Sequence, residues 1–452
     1  LSFRFERSRK VGQAKKENEQ DIRMNKKSIS LLFLAIVLLS CSDEKSTVET
    51  FPAPTWKQAE AVNETELTKG EYYDKVLGLL VGSAIGDAMG APTEMWHRDQ
   101  IRIQDGYVSK LTTLYRPDSP EGPWEDFMEA GSTTDDTRWK YLTTKFLTEK
   151  GSIPDSLNAK GFADFLVKCY LNEMKALKNI EAFDPEPIEK QLKQMNWLQE
   201  WAKVAKAYAD GNIDDYSYAR DRFYGGEMAC AGMLYAPMIG GVYPTNPNRA
   251  YLEAFRLGIF DIGYARDITG LTAAMTARAM RPGVTYGEIT AVCYETDPLR
   301  YGNSRLVGRL AYQSYQTVKT IVTEAKKVEI PSEKPLKDFS GSNVELAQLN
   351  KAYELLDNHL QQIPFHAGEV HLINLAAIEF AEGDFQKAVE FAVNYGRDND
   401  TVAAVTGAIL GAMHGFNKLP VAMREKTLSV SKNVIRINLE QLAQELTDAK
   451  YD

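Results

Sequence analysis

Glycine recurs at every fourth position in two stretches of this 452-residue chain, and that spacing constrains the fold more than any other feature. The first stripe is Gly78, Gly82, Gly86 and Gly90; the second is Gly407, Gly411 and Gly415. Glycine weakens a helix interior, so a repeated glycine on one helical face needs a reason. The reason is close approach: a face without side chains lets another backbone come near. Both stripes lie in small, apolar runs, which predicts two central helices packed on each other. A membrane-spanning pair fails on length and on Asp87 inside the first run.

Acidic residues stand at the ends of these runs. Pro92 stops the first helix, and Glu94 follows where the chain turns. Gly396-Arg397-Asp398-Asn399-Asp400-Thr401 stands directly before the second run. A third acidic stretch, Thr133-Thr134-Asp135-Asp136-Thr137, precedes a helical pattern over Trp139 to Lys150. Asp and Thr are ordinary helix caps, and either motif alone reads as one. Together, and with Glu94 brought near by the paired helices, they supply oxygen ligands for hard cations.

These three stretches resemble the signature of the ADP-ribosylglycohydrolase family, which includes the glycohydrolase that reactivates dinitrogenase reductase. Gly86-Asp87-Ala88-Met89-Gly90 with Glu94, then Thr134-Asp135-Asp136, then Asp398, Asp400 and Thr401 carry the likeness, from about Tyr72 to Leu446. The resemblance implies an all-α fold, a single large orthogonal multi-helix bundle with a central di-metal site. It implies two Mg²⁺ or Mn²⁺ ions held by Glu94, Thr134, Asp135, Asp136, Asp398, Asp400 and Thr401. It also implies hydrolysis at the anomeric carbon of a small-molecule or protein-linked ribosyl group, with Glu94, Asp135 and Asp400 as the catalytic candidates. A two-metal hydrolase of another bond, such as a phosphoester, and a catalytically silent, metal-stabilised binding protein remain as alternatives.

The middle of the chain departs from the family pattern. Relatives commonly carry Gly-Asn-Gly-Ser-x-Met-Arg, whereas this chain has Gly225-Gly226-Glu227-Met228-Ala229-Cys230. Many have Thr-His at the next helix, where Phe260-Asp261 stands. Added acid there disfavours a diphosphate. Gly226, Glu227, Met228, Trp96, His366 and Arg397 are the candidates for substrate contact, with His97 and Trp124 as weaker stacking candidates. Glu227 reads equally as a solvated residue, for instance paired with Arg222. His366 and His371 are five apart and lack the spacing of a zinc helix, so a capping or core role is the simpler reading for both.

Helical periodicity covers the rest: 162–177, 188–209, 247–259, 269–280, 306–327, 344–362, 369–381, 384–395 and 436–446. No series of alternating strands stands out. Residues 331–342 read as a surface loop.

The N-terminal region reads differently. Leu1 is no initiator, and residues 1–23 are expected to be an upstream, non-native extension. Residues 24–40 have a basic start, an apolar run and Leu38-Leu39-Ser40 ahead of Cys41, the pattern of a bacterial lipoprotein signal. Cys41 is then the acylated residue, residues 41–70 a linker, and residues 71–452 one domain on an extracytoplasmic, membrane-anchored lipoprotein of the cell envelope. A net charge of −9 argues against nucleic-acid binding through a basic face, and a monomer is expected. Cys169, Cys230 and Cys293, odd in number and widely spaced, offer neither a disulfide framework nor a zinc cluster.

Overall fold

The computed structural model describes residues 67–115, 127–179 and 185–452. The signal-like segment, Cys41, most of the expected linker and Trp124 lie outside the described residues.

The described chain is all-α. Its helices are α1 (Lys69–Gly90), α2 (Arg98–Gln104), α3 (Asp135–Thr148), α4 (Ala159–Lys178), α5 (Pro185–Asp210) and α6 (Ile213–Arg222). Next come α7 (Ala236–Val242), α8 (Pro247–Leu257), α9 (Ala265–Ala279), α10 (Tyr286–Glu295), α11 (Leu310–Lys326) and α12 (Asn343–Asp357). The last are α13 (Ala367–Phe380), α14 (Phe385–Tyr395), α15 (Asn399–His414), α16 (Val421–Val430) and α17 (Leu439–Tyr451). Two-residue strands β1 (Leu114–Tyr115) and β2 (Phe127–Met128) pair antiparallel.

Helices α1 and α15 form the centre. α1 starts at a capping box, Thr68 with Glu71, and is buried without a break from Lys75 to Gly90. It is long and apolar enough to cross a membrane, but 94% of its apolar window is buried within this fold. A helix that is apolar all round belongs in a core. α15 is likewise buried from Asn399 to Ala412. The two run antiparallel, with Gly78 against Gly411, Gly82 against Gly407 and Gly86 against Ala403. At each of these positions an added Cβ would collide with the backbone of the other helix. Lys75 reaches the far end of α15 and donates to the carbonyls of Ala412 (2.9 Å) and Met413 (3.1 Å), which have no intrahelical partner there.

The antiparallel arrangement has one consequence for function. It brings the C-terminal end of α1 to the N-terminal start of α15. An aromatic cluster ties α3 to α5 nearby: Trp139 lies 4.2 Å from Trp201 and 5.7 Å from Tyr235, ring to ring.

Candidate active site

The last turns of α1 organise the first wall of the site. Asp87 is fully buried and accepts four hydrogen bonds from the start of α3. The donors are the backbone N–H groups of Thr134 (2.9 Å) and Thr137 (3.1 Å) and their hydroxyls (3.0 and 2.7 Å). Thr134 is the N-cap of α3 but makes no capping bond of its own. Asp87 therefore caps α3 from another helix and sets where Asp135 and Asp136 sit. Burial, then the neighbouring Asp136, pushes the Asp87 carboxyl upward, and its hydrogen bonds oppose that shift.

The loop after α1 is stitched to the loop before α15. Met95 N–H donates to the Arg397 carbonyl (2.7 Å), and Arg397 N–H to that of Trp96 (2.8 Å). Gly396 sits at φ +85° with its Cα against the Trp96 carbonyl, a place with no room for a side chain. Asn399, fully buried, donates to the Thr93 hydroxyl and the Val393 carbonyl, both at 2.9 Å. These bonds deliver Glu94 to Asp398 and Asp400, and one carboxylate oxygen from each of the three lies within 4.8 Å of the others.

Asp136 faces a different partner set. One oxygen accepts from Lys140 Nζ at 3.1 Å, with both side chains only 1% exposed; the other accepts from the Thr401 hydroxyl at 3.0 Å. Asp398 is short of such compensation. Burial, then Glu94 and Asp136, raises its carboxyl well above the usual range. The Cys230 thiol lies 3.8 Å from its Oδ2, and burial pushes that thiol up, so it stays protonated. A converging, oxygen-only donor set rich in carboxylates fits a hard divalent cation.

Glu94, Asp135, Asp398, Asp400 and Thr401 line one end of a cavity of about 310 Å³. Trp201, Tyr224, Leu234 and Phe365 line much of the rest, with Met95, Ala229, Cys230 and Ala231. A second backbone pairing fixes that wall: Cys230 N–H donates to the Phe365 carbonyl (2.9 Å) and Ala367 N–H to that of Met228 (2.8 Å).

Five of the seven metal-ligand candidates read from the sequence therefore line one cavity. Thr134 and Asp136 stand just behind it, bonded to Asp87 and to Lys140 and Thr401 respectively. The six substrate-contact candidates are placed differently, and none is in the cavity wall. Glu227 is exposed, and Gly226 lies in an open surface groove with Arg220 and Arg266. Trp96 and Met228 contribute backbone pairing. His366 accepts from Gly368 N–H (3.1 Å) as the N-cap of α13. Arg397 is held by Glu369 at 2.7 and 2.9 Å and by the Gln361 carbonyl at 3.0 Å. Asp261 turns inward, accepting from Gly232 N–H (2.9 Å) and the Thr269 hydroxyl (2.8 Å), and so holds the turn that follows Cys230.

A model of the ADP-ribosylglycohydrolase family matches residues 68–452. The chain belongs to the ADP-ribosylglycohydrolase family. Among its relatives is the uncharacterized protein YegU of Escherichia coli (strain K12), 22% identical over 361 residues, which span 79% of this chain and 93% of YegU. A solved ADP-ribosylglycohydrolase-related protein complex has the same fold, with a TM-score of 0.50 at 20% identity, covering 84% of this chain and 99% of that one. Membership carries glycosyl hydrolase chemistry at the coarse level, and the family typically binds divalent metals. The acidic cluster has the donor chemistry such an ion requires.

Proposed function

We propose that this family member is a divalent-cation-dependent hydrolase of ribosyl-type glycosidic bonds, using Mg²⁺ or Mn²⁺. The observation that supports the reading is the convergence of Glu94, Asp398 and Asp400 at one end of a cavity whose remaining walls are mainly apolar. These three carboxylates would hold the cation. A bound divalent ion would orient sugar hydroxyls and offset the crowded negative charge. Asp135 lines the same cavity from the first turn of α3, and in this reading it accepts a proton from the attacking water. An oxocarbenium-like transition state gains from the surrounding negative charge. The apolar walls exclude water from the departing group. Family membership, which carries glycosyl hydrolase chemistry, supports this reading over the phosphoester alternative.

Mn²⁺ at about 100 times its Kd should stabilise the protein by about 2.7 kcal/mol per site. Asp400→Asn should lose that stabilisation together with release of free sugar from ribosyl substrates. Identical thermal unfolding in EDTA and in millimolar Mn²⁺ would sink the cation reading. Stabilisation without any sugar release would favour the silent binding protein.

We also propose that Cys41 is acylated and tethers the domain to a membrane of the cell envelope, on the strength of the Leu38-Leu39-Ser40-Cys41 sequence. Cys41→Ser should abolish lipid labelling and membrane retention; retention unchanged in that variant refutes the anchor.

A further inference from the structure

Between α10 and α11 the chain leaves the core as a mounted loop. Arg309, buried at its base, donates to the Asp267 carboxylate at 2.7 and 2.9 Å. It also donates to the carbonyls of Thr296 (2.6 Å) and Cys293 (3.3 Å). Asp297 accepts from the backbone N–H groups of Tyr301 and Gly302, both at 2.8 Å. Gly308 N–H closes back on the Ser304 carbonyl (3.2 Å), and the Gln313 amide donates to that of Val307 (2.9 Å). Base and tip are both held.

This frame presents an apolar tip to solvent. Leu306 is 93% exposed and Val307 54%, and Leu310 and Tyr294 are exposed as well. A lone exposed leucine is ordinary, whereas several large apolar side chains on one short projection mark a contact surface. Arg300 and Arg305 belong to the same loop and are exposed. Neither guanidinium has a hydrogen bond or ion pair with a described residue. The chain as a whole carries a net charge of −9, so this spot is basic on an acidic molecule. An apolar tip flanked by free cations suits a membrane interface, where the apolar groups enter the headgroup region and the cations meet anionic phosphates. A second copy docked through the same patch would instead bring two basic surfaces together.

We propose that the loop over residues 297–309 docks the domain on an anionic phospholipid surface, with Leu306 and Val307 entering the headgroup region. Arg300 and Arg305 bind the lipid phosphates. An acyl chain at Cys41 would hold the domain near a membrane without choosing which face meets it, and the loop makes that choice. Tyr301 of the loop also lines the groove that holds Gly226 and Arg266, so docking turns that groove toward the lipid.

The test reads the environment of the loop in the full chain with Cys41→Ser and Cys169→Ser, which leaves only the buried Cys230 and Cys293. Replacing Cys41 makes the outcome independent of acylation, and a probe on the loop separates its insertion from any lipid affinity of the apolar run over residues 29–39. Leu306→Cys carries a nitrobenzoxadiazole probe, with Val307→Cys as a second probe site. Lys334→Cys, beyond the far end of α11, a helix about 25 Å long, carries the same probe as a control. With phosphatidylglycerol vesicles the emission at 306 should shift to the blue, with little change on phosphatidylcholine vesicles and none at 334. Arg300→Asn, tolerated at φ 57°, together with Arg305→Gln should weaken that engagement about 25-fold, at about fivefold per arginine. Most of the shift should then be lost at the same lipid concentration. Thermal unfolding like that of the parent shows that each variant is folded. An unshifted probe at 306, equal shifts on the two lipids, equal shifts at 306 and 334, or indifference to the arginine substitutions each overturns the proposal. So does a shift that grows with protein concentration without vesicles, which would assign the loop to a second copy.

Discussion

His371 gives the sharpest test of how this fold handles a buried ionisable group. It lies in α13, fully buried, and neither ring nitrogen has a hydrogen-bond partner among the described residues. Burial, then the nearby charge of Arg309, lowers its pKa from 6.5 to about 3. The folded protein therefore keeps this imidazole neutral while the unfolded chain protonates it. Between pH 6.5 and pH 3 the unfolded state binds more protons, so stability falls as pH falls through that window. One pH unit inside the window is worth about 1.4 kcal/mol. The unfolded imidazole is only partly protonated near its upper end, so the loss from pH 7 to pH 5 is about 2 kcal/mol. Asp87 and Asp398 shift upward and act in the opposite sense, gaining stability as pH falls. A comparison with His371→Leu cancels those contributions. The variant should be as stable as the wild type or more so at pH 7, because it removes two unpartnered polar atoms. It should also be about 2 kcal/mol less sensitive to the change from pH 7 to pH 5. Urea unfolding of both proteins in EDTA at the two pH values measures the difference. Parallel pH dependence in the two proteins would refute the argument.

Two further perturbations test the centre and the site. Gly82→Ala places a Cβ against the Gly407 carbonyl and should lower the urea midpoint by the equivalent of about 3 kcal/mol or more, whereas Gly70→Ala, with open space around it, should be neutral or mildly stabilising; equal effects would remove the close-approach argument. Lys140→Met leaves Asp136 buried without its cation and should cost about 3–5 kcal/mol, against about 1 kcal/mol or less for Lys145→Met at the more exposed Glu445 pair; equal effects at the two lysines would refute the distinction between buried and exposed pairs.

The elements legible in the sequence were those whose cause is local. A glycine at every fourth residue has one physical explanation, and the α1–α15 pair follows it. Helices with long apolar periods, such as α4, α5 and α13, sit close to their expected ranges. Their ends moved where a residue with positive φ or a cap intervened. α11 starts at Leu310 rather than Leu306, after Gly308 at φ +68°. α17 starts at Leu439 rather than Arg436, which itself has φ 68°, with Asn438 as cap. Short helices such as α2, α6, α7 and α16 offer two turns or little more, too few for a period to register. α10 was findable by another signal, the capping box of Thr285 and Glu288 that opens it.

The site divides along the same line. Its acidic residues occur in runs, and a run is visible in a sequence. The residues that position them are solitary and act across long separations. Asp87 looks like one acid in an apolar helix, yet it fixes the start of α3, 47 residues on. Lys140 looks like a surface lysine four residues after Asp136, and only the packing of α3 reveals that it is buried. Trp201, Tyr224 and Phe365 have no shared motif, because a cavity wall asks only for rings at one place in space. The substrate-contact candidates read from the sequence fell beside these positions, in the loops that pair backbone to backbone and hold the wall. In this fold the carboxylates of the candidate site are written in clusters, and the cavity wall beside them is assembled by topology.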